Sequence, residues 1–272
     1  MRTNKDKTIT IPIVNLAIGL SLLTSLPAFA SESDDAGWRG DLSASYIANT
    51  YDKSSHNSLR SLNWSGKLKY SLTESYAVYL TSGGYRVYEN ETGDFFTDTV
   101  IGFEDRQLAT LGGSGKLKYN VQLTLPTSEL SRDDELESRV RLALNYAADA
   151  GQVSYFISPR LAKNFHRYQT AGEKSLPEWL VSLNAGIAYQ WDKLTLSASL
   201  LGGTSWSYQH TRQDWTYSGA VSAQWQITEH FYTGLSLSNS GVYFDAEQGT
   251  VGDIDLFNDD TTVYSLSLGY TF

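Results

Sequence analysis

The strongest constraint on this chain is an alternation of side-chain character with a period of two, which is clearest at the carboxyl end. In residues 263–272, every even position is Tyr, Leu or Phe, and the odd positions from 265 to 271 hold only Ser, Gly or Thr. Successive side chains of a β-strand point to opposite faces. The segment therefore predicts a strand with one apolar, aromatic face and one small, polar face, which ends on the aromatic Phe272.

The same alternation recurs along the chain and predicts twelve strands. They cover 38–50, 59–72, 76–88, a segment between 96 and 111, 116–125, 139–146, 153–165, 179–191, 194–208, 215–227, 231–244 and 263–272. The third strand is apolar on both faces, so its pattern does not orient it, and the fourth is bounded only loosely. Pro159 interrupts the seventh strand, and we expect an edge or a bulge there because proline cannot donate to a strand ladder.

The connections between these strands alternate in length. The short ones are 73–75, 112–115, 147–152, 192–193 and 228–230, and the long ones are 51–58, 89–102, 126–135, 166–177, 209–214 and 245–261. No stretch after the first thirty residues approaches the roughly 20 apolar residues of a transmembrane helix. If the chain crosses a membrane, it must therefore do so as a closed barrel, since lipid satisfies no backbone hydrogen bonds.

An even number of alternating strands, asymmetric connections and a terminal aromatic strand resemble the Gram-negative outer-membrane β-barrels. The resemblance implies an all-β fold, a transmembrane antiparallel β-barrel of about twelve strands with both termini periplasmic. It also implies surroundings of outer-membrane lipid and lipopolysaccharide, and recognition of Tyr270 and Phe272 by the barrel-assembly machinery. Trp179 and Trp191 stand at opposite ends of one strand, as in interfacial aromatic girdles. A soluble lipocalin-like barrel or sandwich is disfavoured, because the aromatic faces would have to fill one very large core.

The first thirty residues have the three parts of a secretory signal. A basic segment is followed by a mostly apolar stretch over 9–26 and by small residues at Ala28 and Ala30. We expect cleavage after Ala30, which leaves 31–272 as the barrel and the cell outer membrane as its location. A membrane anchor is the alternative, and the short apolar core argues against it.

Charge and composition exclude some classes of function. Removing the three basic residues and one acidic residue of the leader takes the formal net charge from −9 to −11, so a nucleic-acid partner is not expected. The chain has no cysteine and hence no disulfide or thiol chemistry. An autotransporter translocator is also not expected, because no passenger segment stands between the leader and the expected barrel.

The face expected to point into the barrel differs from one side to the other. Strands eight to twelve carry short, uncharged side chains there, which cannot fill a barrel of this size. The opposite wall carries seven basic residues, and the hexapeptide SGKLKY occurs twice within it, at 65–70 and 114–119, near the rim with the short turns. The seven are Lys67, Lys69, Lys116, Lys118, Arg139, Arg141 and Arg160.

Two interpretations of this basic wall remain open. A track of cations in a confined pore favours the passage of anions, which suggests a narrow diffusion pore for small hydrophilic solutes with a preference for anions. In size and lumen charge it is similar to the small twelve-stranded porins for acidic oligosaccharides. Alternatively, the cations brace the barrel by pairing with acids or with a folded-in loop, which suggests a structural, assembly or polysaccharide-associated barrel with an occluded lumen. The candidate acids are Asp41, Glu104, Asp105 and Glu137.

We expect no enzyme and no cofactor. The outer-membrane phospholipase family needs a His and a Ser placed together on the barrel wall, whereas the four histidines here, at 56, 166, 210 and 230, fall in or beside connections. The sequence contains no H-E-x-x-H or G-x-S-x-G motif. The acidic segment 253–260 offers oxygen ligands for Ca²⁺ but lacks the Gly and terminal Glu of an EF-hand loop, so a solvated loop is the favoured interpretation and no metal site is assigned.

Overall fold

Almost all of the ordered secondary structure is antiparallel β-strand. The computed structural model describes residues 37–243 and 262–272, apart from residues 91, 113 and 173. The expected leader with its cleavage site after Ala30, and the acidic segment 253–260, lie outside these residues. Within them, no helix is long and apolar enough to cross a membrane.

Fifteen strands and one short helix make up this part of the chain. The strands are β1 (Trp38–Asn49), β2 (Arg60–Ser71), β3 (Tyr76–Val87), β4 (Gly93–Phe96), β5 (Thr99–Leu111), β6 (Gly115–Leu125), β7 (Leu136–Ala150), β8 (Val153–His166), β9 (Thr170–Ala171), β10 (Lys174–Ser175), β11 (Pro177–Trp191), β12 (Leu194–Ser207), β13 (Trp215–Gln226), β14 (Phe231–Tyr243) and β15 (Val263–Thr271). The helix α1 (Glu129–Asp133) lies between β6 and β7. Strands β9 and β10 form a separate small hairpin.

The remaining strands close into a barrel. Each pairs with its neighbour in the chain, and β1 pairs on one side with β2 and on the other with β15, so that Asp41 lies opposite both Lys67 and Thr271. Strands β4 and β5 both pair with β3 and together make one wall position. The described residues therefore form a closed antiparallel barrel of twelve strand positions, as the alternation predicts.

The two faces of the wall have the polarity of a membrane barrel. Large apolar side chains on alternate positions point away from the barrel, and Trp191, Leu235 and Leu200 are 65%, 62% and 55% exposed. Polar side chains of the other parity are covered, and Ser158 and Asn184 are each only 1% exposed. In water, apolar side chains on the outside of the barrel would remain exposed, which is unfavourable. In a bilayer the same side chains contact lipid, and the arrangement is favourable. The outward parity predicted for Trp179 and Trp191 is confirmed.

Short connections gather at one end of the barrel and long ones at the other. The first described residues and the last residue meet at the short end, where Gly40 N donates to Phe272 O at 2.9 Å and Ser71 N donates to Gly37 O at 3.1 Å. The turn expected over 147–152 is shorter than predicted. Strand β7 continues to Ala150 and β8 begins at Val153, which leaves a two-residue turn containing Gly151 at φ 68°.

The pairing register shows two local features that the sequence did not determine, one at Pro159 in β8 and one in β5. The expected edge or bulge at Pro159 is wrong: the proline stands near the middle of β8, and the same register continues on both sides of it, with Ala143 opposite Arg160 and Tyr146 opposite Ile157. The fourth wall position is irregular, because the register with β6 shifts between Asp105 and Ala109. From Asp105 to Ala109, β5 advances four residues while β6 moves only from Tyr119 to Leu117. This bulge interrupts the ladder, which explains why the alternation of β5 is hard to read.

Candidate functional site

The seven basic residues predicted to line one wall all lie on inward-facing positions of neighbouring strands. Lys67 and Lys69 on β2 share the parity of the buried Ser71, and Arg139 and Arg141 on β7 share that of the buried Ala143. We call the full set the basic wall: Lys67, Lys69, Lys116, Lys118, Arg139, Arg141 and Arg160. Strands β2, β3, β5, β6, β7 and β8 are successive neighbours, so these side chains all lie within one half of the barrel interior.

The lysines of the basic wall lie toward the short-connection end. The ammonium group of Lys69 makes an ion pair with Glu104 on β5. Lys67 Nζ lies 4.7 Å from the ring centroid of Tyr79, a cation–π distance, and its Cα lies opposite that of Asp41. Lys116 is exposed near the start of β6. For Lys69, the structure therefore supports the bracing interpretation.

The three arginines, which we call the arginine cluster, are arranged differently. Arg139 Nε donates to Asn164 Oδ1 at 2.6 Å, and Arg160 Nε donates to Ser158 Oγ at 3.3 Å. Arg141 Nε is buried and has no hydrogen-bond acceptor. All three guanidinium groups thus contact neutral acceptors or none.

Fixed neighbours hold two of these guanidinium groups in place. Asn164 is fully buried, its Nδ2 donates to Pro177 O at 2.8 Å, and its carbonyl accepts from Tyr208 Oη at 2.8 Å. Ser158 Oγ donates to Asn145 Oδ1 at 2.6 Å. Arginine side chains lose less entropy on binding when their positions are already restrained, so the cluster is pre-organised.

No acidic side chain in the described ranges lies within ion-pair distance of the arginine cluster. Ion pairs elsewhere in these ranges include those of Arg60 with Glu89, Lys69 with Glu104, Arg86 with Asp94 and Lys163 with Glu178. The charge of Arg141 repels both Arg139 and Arg160, while Asp98, beyond ion-pair distance, attracts Arg139. A group of mutually repelling cations that contains an unsatisfied donor stabilises an anion placed among them.

Tyr79 connects the lysines with the arginine cluster. Its hydroxyl oxygen accepts hydrogen bonds from Asn120 Nδ2 at 2.9 Å and from Gln122 Nε2, and its ring faces Lys67. The sequence did not identify Tyr79, because β3 carries large residues on both faces and could not be oriented. Lys69 on β2 is the cross-strand partner of Tyr79, and directly opposite residues share a face of the sheet. If the register of β2 with β3 were known, the inward position of Lys69 would therefore identify Tyr79 as inward-facing.

The acids expected inside the barrel have separate roles. Asp41 Oδ2 accepts from Tyr232 Oη at 3.0 Å, across the strand between them. Asp105 Oδ1 accepts from Gln107 N at 2.9 Å. Glu137 lies at the register shift between Leu136 and Ser138 and is exposed.

The histidines do not assemble a site. His166 Nδ1 lies 3.2 Å from Tyr208 Oη, and His230 Nδ1 lies 2.8 Å from Thr271 O, at opposite ends of the barrel. In the part of the chain that the structure describes, no group of three or more His, Cys, Asp or Glu side chains could hold a metal ion.

Comparisons with known proteins show a shared fold. No family model matches this chain, and no curated protein matches it. An outer membrane channel from Pseudomonas putida F1 superposes with a TM-score of 0.60 at 14% identity, covering 90% of this chain and 99% of that one. The KdgM porin gives 0.48 at 10% identity over 85% and 99% of the two chains. The translocator domain of the autotransporter NalP from Neisseria meningitidis gives 0.48 at 13% over 95% and 94%. The likeness to the Pseudomonas channel shows the outer-membrane barrel fold.

Proposed function

We propose that this protein is an outer-membrane barrel whose lumen conducts small hydrophilic solutes and favours anions. The arginine cluster carries the proposal. Three guanidinium groups on two neighbouring strands face inward with no acidic side chain of the described ranges within ion-pair distance. In a confined, water-filled lumen such groups raise the local concentration of anions and lower the barrier to their entry.

The wall opposite the arginine cluster supports passage of solutes. Most inward positions of β11 to β15 hold small side chains, such as Ser199, Ser218 and Ser265, which occupy little of the cross-section. Tyr232 on β14 is a large inward residue that the predicted pattern of short side chains did not include. A twelve-stranded barrel is wider than the eight-stranded kind whose interior side chains can fill it. Hydroxyl groups also offer both donors and acceptors to a hydrated solute.

The test is ion conduction by residues 31–272 refolded and inserted into a planar bilayer under a salt gradient. We expect steady single-channel currents and a reversal potential of the sign that indicates anion preference. Arg141→Gln and Arg160→Gln should each reduce that preference, because each removes one positive charge from the lumen.

Lys163→Gln is the matched control. Lys163 lies on β8 like Arg160, but on the outward parity, where its Nζ lies 4.6 Å from the Trp179 ring centroid and 3.1 Å from Glu178 Oε1. The substitution Lys163→Gln removes one positive charge, as Arg160→Gln does, but from the outer face of the barrel, so it should leave the ion preference unchanged. An equal effect of Lys163→Gln and Arg160→Gln would refute the role of the arginine cluster.

A structural barrel with a closed lumen is the second candidate function. The Lys69–Glu104 ion pair and the hydrogen bond from Tyr232 to Asp41 favour it, since each braces two strands of the wall over the strand that lies between them. A correctly folded, heat-modifiable barrel that passes no current would support this candidate and refute the pore.

The location and orientation of the barrel are also part of the proposal. We propose that the leader is removed after Ala30 and that both termini face the periplasm, because chain ends and short connections share one end of the barrel. Mass spectrometry of protein purified from outer membranes should give a chain beginning at Ser31. Protease added to intact cells should cut within the long connections, and cleavage at the short ones would reverse the orientation.

A further inference from the structure

Three inward-facing aromatic rings lie flat against the barrel wall, each over a glycine of the neighbouring strand. Tyr79 on β3 is opposite Gly102 on β5, Tyr232 on β14 is opposite Gly269 on β15, and Phe156 on β8 is opposite Gly186 on β11. At Gly102 and Gly269, the three atoms nearest to an added Cβ all belong to the opposing tyrosine, and the Cβ would overlap its ring. The glycines therefore make the space in which these rings lie.

Polar groups fix the far end of both tyrosine rings in this flat position. The Tyr79 hydroxyl accepts from Asn120 and Gln122, which lie on β6, one strand beyond Gly102. The Tyr232 hydroxyl donates to Asp41 on β1, one strand beyond Gly269. Each ring thus spans a whole strand and is anchored on the next one.

From this geometry we infer that Tyr79 and Tyr232 set the width of the pore, and that Gly102 and Gly269 hold their rings out of it. On the side away from the wall, the Tyr232 ring is partly exposed to the lumen. The Tyr79 ring is buried there under Lys67, whose Nζ lies 4.7 Å from the ring centroid, so a displaced Tyr79 ring would push Lys67 into the lumen with it. If a methyl group takes the space over the glycine, the ring can move only into the lumen. The inference rests on the proposed function, because a width matters to function only in a barrel that conducts.

The test compares single-channel conductance of Gly102→Ala and Gly269→Ala with that of the wild type. We expect each variant to conduct less, by about twofold or more, because conductance depends steeply on the narrowest cross-section. Tyr79→Ala and Tyr232→Ala need no new space in the wall and should conduct more. Neutral polyethylene glycols of graded size, added to the bath, should enter the alanine-for-tyrosine variants at a larger size than they enter the wild type.

The barrel offers a matched control on its outer face. Gly241 on β14 lies opposite Tyr217 on β13, and a Cβ there would be 2.6 Å from Tyr217 Oη, but both residues have the outward parity. Gly241→Ala creates the same kind of overlap on the outer face and should leave conductance unchanged. Gly186 is a poorer test position, because a Cβ there would also lie 2.9 Å from the backbone oxygen of Ala198.

A double variant separates displacement of the ring from general damage. In Gly102→Ala with Tyr79→Ala there is no ring to displace, so conductance should rise above that of Gly102→Ala alone. If wild-type barrels conduct but Gly102→Ala and Gly269→Ala conduct equally well, the inference is refuted and the pore stands. If folded wild-type barrels do not conduct, the proposed function is refuted together with the inference.

Discussion

At the scale of single residues, one charged cluster ties two of the long connections together. Arg60 Nη1 donates to Glu89 Oε2 at 2.7 Å and Arg60 Nη2 donates to Tyr51 O at 3.2 Å, while Ser58 Oγ donates to the same Glu89 carboxylate. Asn90 Nδ2 donates to Ser58 O at 3.0 Å. The connection after β1 is thus joined to the one after β3 by hydrogen bonds that centre on one carboxylate.

The protonation of Glu89 should therefore control how firmly these connections are joined. The hydrogen bond from Ser58, aided by Arg60, lowers the pKa of Glu89 below its ordinary value of 4.5. A lowered pKa in the folded state means that the carboxylate stabilises the fold above pH 4.5 and loses this effect as pH falls through the folded pKa.

Urea unfolding of the wild type and of Glu89→Gln at a series of pH values measures this effect. We expect the wild type to be the more stable at neutral pH, and the difference to shrink steadily as the pH is lowered through 4.5 and below. Glu229→Gln is the control, since Glu229 lies in a short turn at the other end of the barrel and should give no such pH-dependent difference. A difference for Glu89→Gln that is equally large in acid would contradict the assignment.

At the scale of elements, the most unusual feature is a proline near the middle of a wall strand. The pairing of β7 with β8 passes from Ala143 opposite Arg160 directly to Tyr146 opposite Ile157, and the two pairs between them are not made. Pro159 has no N–H to donate toward Leu144, the residue opposite. The carbonyl of Leu144 therefore receives no hydrogen bond from residue 159, and the hydrocarbon of a bilayer contains no water to donate one instead.

Replacing this proline should stabilise the barrel. Pro159→Val supplies the missing N–H, and an unsatisfied buried group costs about 1–3 kcal/mol, which exceeds the roughly 0.4–1 kcal/mol by which proline restricts the unfolded chain. We expect a net gain of about 1 kcal/mol in the free energy of unfolding, measured in urea with the barrel in lipid vesicles. Pro159→Ala restores the same N–H with a smaller side chain and should show most of the gain. Equal or lower stability of both variants would show that the carbonyl is satisfied in another way.

The elements also show which parts of the fold the sequence can determine. Where the alternation is regular, as in β2, β7 and β11, it correctly predicts the face of every large residue, because a bilayer demands apolar side chains on one parity. It is uninformative for β3, where Tyr79 faces inward and Leu80 outward and both are large. Strand β5 is irregular because its register shifts, and a shift leaves no signal in composition.

The candidate site follows the same division. Parity alone places all seven residues of the basic wall on the inner face, since that prediction requires only the period of a strand. The contacts that distinguish its members depend on register between strands, which the sequence does not encode locally. Lys69 meets Glu104 across β3, and Tyr79 meets Gln122 across β5, so only the assembled barrel shows that the lysines and the arginine cluster differ.

At the scale of the whole molecule, net charge and lumen charge have opposite signs. The chain carries a formal net charge of −9, and many of its acids lie in connections, as Asp52, Asp134 and Glu229 do. Inside the wall, the acids Asp41 and Glu104 are engaged with Tyr232 and Lys69. Ion preference depends on the charges nearest to the path of the ion, so an acidic protein can form an anion-preferring pore.

The dependence of ion preference on salt distinguishes these two charge distributions. Charges are screened over about 10 Å at 0.1 M salt and about 3 Å at 1 M. Because the arginine cluster faces the lumen, its effect on a passing ion should remain measurable at 1 M, whereas the acids of the outer connections act from farther away and should be screened first. Reversal potentials of the wild type should therefore indicate anion preference at both salt concentrations, with a smaller value at the higher one.

Removing the three charges in Arg139→Gln, Arg141→Gln and Arg160→Gln together should abolish or invert the preference at 0.1 M, because the acidic connections then dominate. A preference that survives this triple substitution would assign selectivity to the lysines at the short-connection end.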